Sequence, residues 1–127
     1  MASGHALFCY GTLCHATTMR SVCGYIKQGI PAQLMGYRRR GLYGEDYPAI
    51  VPDRQYLVQG LLYTGITSAQ LRAIDRYEGE LYRRIQVSVA GRRAWTYVLR
   101  PRYYHRARTI SLPDSENRNR NGRDLHQ

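Results

Sequence analysis

Apolar positions along this chain fall in short runs and in alternation with polar ones, a pattern of strands more than of helices. Ala6-Leu7-Phe8-Cys9-Tyr10 reads as a buried strand that runs straight into a Gly11-Thr12 turn. Cys14 to Lys27 carries Met19, Val22, Cys23 and Ile26 at helix-like spacing and predicts a short, irregular helix. Ala32 to Leu42 predicts a strand interrupted by a bulge or tight bend at Gly36. Tyr47 to Pro52, fenced by two prolines, predicts an edge or a strand end. Tyr56 to Tyr63 predicts a separate strand, with Gly60 where something packs close. The clearest helix starts at Thr67, which has capping-box spacing to Gln70. Leu71, Ile74 and Tyr77 are expected to line its buried face, and Gly79 to stop it. Tyr82 to Val89, a turn at Gly91-Arg92-Arg93, and Ala94 to Arg100 predict a hairpin that Pro101 ends.

Length and composition narrow the picture. At 127 residues the chain predicts one domain, residues 1–112, followed by a polar tail, 113–127, expected to be disordered or loosely attached. In that tail Asp114, Glu116 and Asp124 offset Arg118, Arg120 and Arg123, so the net charge of +10 belongs to the folded part. Lys27 is the only lysine, and so large a positive charge favours anionic partners: small acids, phosphates or nucleic acid. No run is long enough to span a membrane, and Met1 to His5 lacks the features of a signal peptide. Cys9, Cys14 and Cys23 are therefore expected to be reduced thiols in a cytoplasmic protein.

Two segments could carry chemistry. Gly11 lets the backbone of the first turn approach a ligand and leaves amide N–H groups free to meet a carboxylate or carbonyl oxygen. Asp75 to Arg84 offers a candidate catalytic carboxylate, Glu78, although a glutamate before a helix-ending glycine is ordinarily a solvated surface residue. Asp75 and Glu80 read as helix-face and turn acids, Asp75 with the option of pairing with an arginine. Cys14-His15 is adjacent in sequence, whereas a thiol–imidazole pair works through space. The cysteines and histidines lack the paired short spacing of zinc sites, so no metal is expected. Arg38-Arg39-Arg40 reads as solvated surface, with Arg38 and Arg40 on one strand face.

Taken in order, Leu7 to Leu13, Tyr47 to Pro52, Val58 to Tyr63, Leu71 to Gly79 and Tyr82-Arg83-Arg84 resemble the small single-domain members of the gamma-glutamylcyclotransferase-like superfamily, over about Leu7 to Leu99. The resemblance implies an α+β fold: a small mixed or antiparallel β-barrel of about six strands with flanking short helices. It implies a cofactor-independent, metal-free enzyme for a small γ-glutamyl substrate, in which the substrate's α-amine attacks its own γ-carbonyl and releases 5-oxoproline and a free amine. By position, Glu78 matches the family's acid/base, the catalytic residue. Tyr10, Gly11, Thr12 and Leu13 match the substrate-holding loop, and Tyr82 a pocket tyrosine. The chemistry agrees, because one carboxylate can take the proton the α-ammonium must lose and return it to the leaving nitrogen. Its place at a helix C-terminus favours the protonated form. The alternative is a basic β domain that binds nucleic acid or another anion without catalysis. Its support is the arginine content and twelve tyrosines, but the sequence has no nucleic-acid signature.

Overall fold

The computed structural model describes residues 4–11, 14–24, 26–45, 48–111 and 116–118, with 108–111 and 116–118 as backbone only. Its elements follow in the order β1 (His5–Cys9), α1 (Ala16–Cys23), β2 (Ile30–Leu42), β3 (Ala49–Ile66), α2 (Ser68–Glu78), β4 (Tyr82–Val89), β5 (Arg92–Leu99), a 3-10 helix (Pro101–Arg106), β6 (Ala107–Ser111) and β7 (Glu116–Arg118). Seven strands form one mixed sheet in the order β4-β5-β1-β3-β2-β6, with β7 added on β3. β1 runs antiparallel to β3 and parallel to β5, which puts it in the middle of the sheet.

Because β1 is central, both its faces are buried and its apolar run need not alternate. Leu7 and Cys9 join a core with Met19 of α1, Leu71 and Ile74 of α2, and Tyr82, Tyr97 and Leu99 of the hairpin. Ala6, Phe8 and Tyr10 join a second core with Leu34, Ile50, Val58, Leu62, Val89 and Val98, to which no helix contributes. That helix-free core draws Leu34 from β2 and Val89 from β4, so the sheet curls over itself. It does not close: β4 and β6 end the strand order without pairing to each other among the described residues. The α+β class with short helices holds, and the closed barrel is corrected to a curled open sheet.

The two segments read as Tyr47–Pro52 and Tyr56–Tyr63 are one strand, the 18-residue β3. Pro52 is tolerated because this half of β3 pairs with β2, at Tyr37, whereas β1 takes up Leu61 onward. Tyr47 itself lies outside the described residues. The break at Gly36 appears as a register shift between Met35 and Tyr37, with Gly36 at φ +85°. Gly60 is obligatory, since a Cβ there would lie 2.1 Å from the Cys9 carbonyl oxygen. The hairpin turn is Ala90-Gly91, both at positive φ (53° and 78°) as a two-residue loop demands, one position earlier than expected.

Helix α2 has both halves of its capping box: the Gln70 N–H donates to Thr67 Oγ1 at 3.0 Å and the Thr67 N–H to Gln70 Oε1 at 2.9 Å. Its buried face differs from expectation at one residue. Leu71 and Ile74 are buried, but Tyr77 is 45 % exposed. At roughly 100° per residue, position 77 lies about 120° from Leu71, whereas position 78 lies within about 20° of it. Glu78, not Tyr77, continues the apolar stripe. Of the polar tail, Glu116–Arg118 forms β7 opposite Tyr56–Val58; residues 112–115 and 119–127 lie outside the described set. No helix among the described residues is long and apolar enough to cross a membrane.

Candidate active site

The first turn is built on Gly11, whose φ of +100° suits glycine and strains any other residue. The Cys14 N–H closes the turn on the Gly11 carbonyl at 3.0 Å. Pro48 borders it, since a Cβ at Gly11 would meet Pro48 Cγ at 3.4 Å. Pro48 is held in turn by Tyr82, whose hydroxyl donates to the Pro48 carbonyl at 2.7 Å. The Tyr10 hydroxyl donates to the Tyr97 carbonyl at 2.5 Å, which fixes the turn's start on β5. Tyr10 is therefore a buried anchor whose hydroxyl is already engaged with protein. Thr12 and Leu13, expected to supply amides beside Gly11, lie outside the described residues.

Glu78 is the last residue of α2. Its position on the buried stripe leaves the side chain only partly exposed, and loss of hydration pushes its carboxyl from an ordinary 4.5 up to about 7. Its charge is felt by groups on either side of the turn. Burial raises the Tyr10 phenol, and the charges of Tyr82 and Glu78 raise it further. Burial likewise raises the Cys9 thiol, with smaller contributions from Cys14 and Glu78. The Cys9 thiol's hydrogen bond lowers Cys14, and Glu78 opposes that shift. Tyr82 and Gly11 are thus linked through Pro48, and the charges of Tyr82 and Glu78 both act on Tyr10.

One cation near these groups was not foreseen. Arg39 on β2 is half-buried, with its Nε shielded from solvent, and its charge acts on both Tyr10 and Cys14. Arg38 goes the other way, onto Asp53 and the Tyr56 ring at 4.2 Å. The strand alternation in Arg38-Arg39-Arg40 already set Arg39 apart, and this was the signal available. Pro48 could be found only through Tyr82, because the contact joins residues distant in sequence.

A second group flanks the site. Arg84 makes a two-pronged bond to Asp75, 2.8 Å from Nε and 3.1 Å from Nη2, and stacks over Trp95 at 4.4 Å. The Tyr97 hydroxyl donates to Asp75 at 2.5 Å. Burial alone would raise Asp75, but the bonds from Arg84 and Tyr97 outweigh it and hold the carboxyl below its ordinary value. Two acids on one helix are thus pushed in opposite directions: Asp75 is a locked anion, and Glu78 is balanced near neutrality. An open cavity of about 500 Å³ adjoins this group, lined by Asp75, Gly79, Tyr82, Arg83, Arg84, Trp95, Tyr97 and Arg100. Glu78 does not line it, but the next residue, Gly79, and the shared wall Tyr82 do. His15 is exposed, and Cys14 interacts with Cys9 rather than with an imidazole. No group of three or more His, Cys, Asp or Glu among the described residues is arranged to hold a metal ion.

Comparison with known proteins gives a consistent family. The family model for gamma-glutamyl cyclotransferase, AIG2-like proteins matches residues 7–117. Protein AIG2 C of Arabidopsis thaliana is 34 % identical over 85 residues, 67 % of this chain and 52 % of its own length. AIG2-like protein C of the same plant is 35 % identical over 92 residues, 70 % of this chain and 54 % of its own. The chain spans about half the length of the curated relatives it matches. A solution structure of another Arabidopsis thaliana protein superposes with a TM-score of 0.68 at 31 % identity, covering 82 % of this chain and 71 % of that one. A gamma-glutamyl cyclotransferase structure superposes with a TM-score of 0.67, covering 92 % and 72 %, at 15 % identity, a likeness of fold alone. On the extent of the family match, this chain belongs to the gamma-glutamyl cyclotransferase, AIG2-like family.

Proposed function

We propose that the chain is a cofactor-independent cyclotransferase that cleaves a γ-glutamyl amide into 5-oxoproline and a free amine, with Glu78 as the acid/base. The observation that carries this reading is the half-buried Glu78 carboxyl, pushed up to about 7, whose charge is felt by Tyr10 and Cys14 on either side of the Gly11 turn. A carboxyl poised there can accept a proton near neutral pH and give it back, as this reaction requires.

In this reading Glu78 takes a proton from the α-ammonium of the γ-glutamyl group. The freed amine attacks the γ-carbonyl, closing a five-membered ring and pushing the carbonyl electrons onto oxygen. Amides of the Gly11–Leu13 turn receive that oxyanion. The tetrahedral centre then collapses, the original amide C–N bond breaks, and Glu78 returns the proton to the leaving nitrogen. No water enters the equation. Both reacting groups belong to one molecule, so holding it curled between Pro48, Tyr82 and the turn supplies much of the acceleration. We assign the substrate's α-carboxylate to Arg39, whose charge acts on Tyr10 and Cys14. The cavity beyond Tyr82, with Arg83, Arg84 and Arg100 in its walls, is the room available for the amine side.

The competing reading, an anion-binding β domain without catalysis, gives Glu78 no task. A carboxyl that loses hydration to burial is a cost that a purely basic surface would not need. Incubation with a panel of γ-glutamyl amines and dipeptides, glutathione included, followed by detection of 5-oxoproline, tests the proposal. Release from at least one member is expected. No release from any, alongside salt-sensitive binding of single-stranded nucleic acid, would favour the competing reading.

A further inference from the structure

We propose that the cavity beyond Tyr82 selects the leaving amine, and that the amine it takes is an arylamine carrying an acidic group on its ring. The leaving-group role rests on the cyclotransferase reading, whereas the cavity's preference for an aromatic acid stands on its own walls. At about 500 Å³ the space is of small-molecule size, far more than ammonia or glycine would fill. Its wall comes up to the acid/base: Gly79 directly follows Glu78, and a Cβ built on Gly79 would meet nothing within 4 Å. A group leaving from beside Glu78 therefore has open space to occupy.

Two features of the wall set the ligand's class. The first is a flat cation. Arg84 gives one face to Trp95, 4.4 Å from the ring centroid, and its Nε–Nη2 edge to Asp75 at 2.8 and 3.1 Å. Its side chain keeps 25 % of its surface exposed, so the opposite face is what remains for the cavity it lines. A guanidinium pinned in this way is a platform for a planar ring, already ordered by Asp75 and Trp95 before a ligand arrives. The second is unmatched positive charge. Against three arginines the wall sets one acid among the described residues, Asp75, and Arg84 holds it with both prongs. Arg100 donates from Nε to the Glu80 backbone carbonyl at 2.9 Å, which leaves its charge uncompensated. Arg83 is exposed, and among the described residues neither Arg83 nor Arg100 forms an ion pair with an acid. A carboxylate on the stacked ring would be met by these two. In the reaction the α-nitrogen bonds to the γ-carbon, and the bond from that carbon to the arylamine nitrogen breaks. Of the three protons on the α-ammonium, one stays on the ring nitrogen of 5-oxoproline and one goes to the arylamine. The third goes to solvent, because an arylamine is a weak base and leaves uncharged.

Trp95 is the chain's only tryptophan, so its indole N–H resonance in isotope-labelled protein reports on the cavity without any turnover. The probes are para-aminobenzoate and its neutral counterpart, para-aminobenzamide. The acid should shift that resonance saturably and bind about 10-fold or more tighter than the amide, the worth of one charge-assisted contact. Arg83→Ala combined with Arg100→Ala should bring the acid down to the amide's level. The same two amines joined to a γ-glutamyl group should both release 5-oxoproline, with kcat/KM higher for the acid by a similar factor, and the double variant should erase that preference. Equal binding of the two probes, or no shift with either, would overturn the site. Charge-selective binding with equal turnover of the two substrates would overturn its part in choosing the leaving amine. Charge-selective binding with no 5-oxoproline from these or any other γ-glutamyl compound would overturn the cyclotransferase reading, and the leaving-group role with it, but not the aromatic-acid site.

Discussion

The Tyr82 hydroxyl donates to the Pro48 carbonyl at 2.7 Å, and this bond ties the start of β4 to the wall of the Gly11 turn. Both partners are buried, so neither can turn to solvent when the other is removed. Tyr82→Phe keeps the ring and leaves one buried carbonyl unpaired. It should cost about 1–3 kcal/mol of stability, read from the midpoint of urea unfolding. The same variant should raise KM for a γ-glutamyl substrate more than it lowers kcat, because the lost bond positions a wall rather than a proton. An unchanged midpoint and unchanged KM would dissociate Tyr82 from the site.

Glu78 should make the fold pH-sensitive in a particular direction. Its carboxyl rises from 4.5 to about 7 on folding, so the folded protein favours the protonated acid. The penalty of burying the charge is therefore absent below pH 4.5, grows as pH rises from 4.5 to about 7 and is constant above that. Glu78→Gln removes it: the variant should match the parent near pH 4 and exceed it near pH 8 by about 1–3 kcal/mol. Equal stability of the two at pH 8 would mean the carboxyl is not held in a dry place.

Asp75 should behave oppositely. Its carboxyl is lowered on folding by Arg84 and Tyr97, so the stabilisation is present above its unfolded value and fades as pH falls through the folded one. Asp75→Asn leaves the Arg84 guanidinium without its anion; because the Asp75 side chain is 39 % exposed and screened by solvent, the loss should be no more than about 1 kcal/mol at pH 7, shrinking toward pH 3. Thermal melts of both proteins across that range would show the gap close, and a constant gap would point to packing instead.

Gly60→Ala places a methyl where the backbone leaves no room for one. Its Cβ would lie 2.1 Å from the Cys9 carbonyl oxygen and 2.7 Å from the Phe8 ring, both fixed in the central strand. β1 and β3 would have to separate, and we expect a loss of at least about 3 kcal/mol or failure to fold, measured by circular dichroism and denaturant titration.

Much of the fold can be read in the residues themselves. The capping box at Thr67 and Gln70, the stop at Gly79 and the break at Gly36 are local signals, and local geometry decides them. What escaped is non-local. The join of Tyr47–Pro52 to Tyr56–Tyr63 as one strand depends on β2 lying alongside both, and an open rather than closed sheet depends on where β4 and β6 end. The candidate site divides the same way. Glu78, Tyr10, Gly11 and Tyr82 stand out as residues in recognisable segments. The half-burial of Arg39 and the Pro48 wall appear only when distant strands meet. Glu78's burial was present in the helical period, hidden because Tyr77 looked the better core residue.

The central claim is that one half-buried carboxyl moves the proton, and the rate of 5-oxoproline release by folded Glu78→Gln beside the parent tests it directly. The account predicts an unchanged circular dichroism spectrum with release lower by about 10²–10⁴-fold. A Glu78→Gln protein that keeps its fold and still turns over at the parental rate would contradict it.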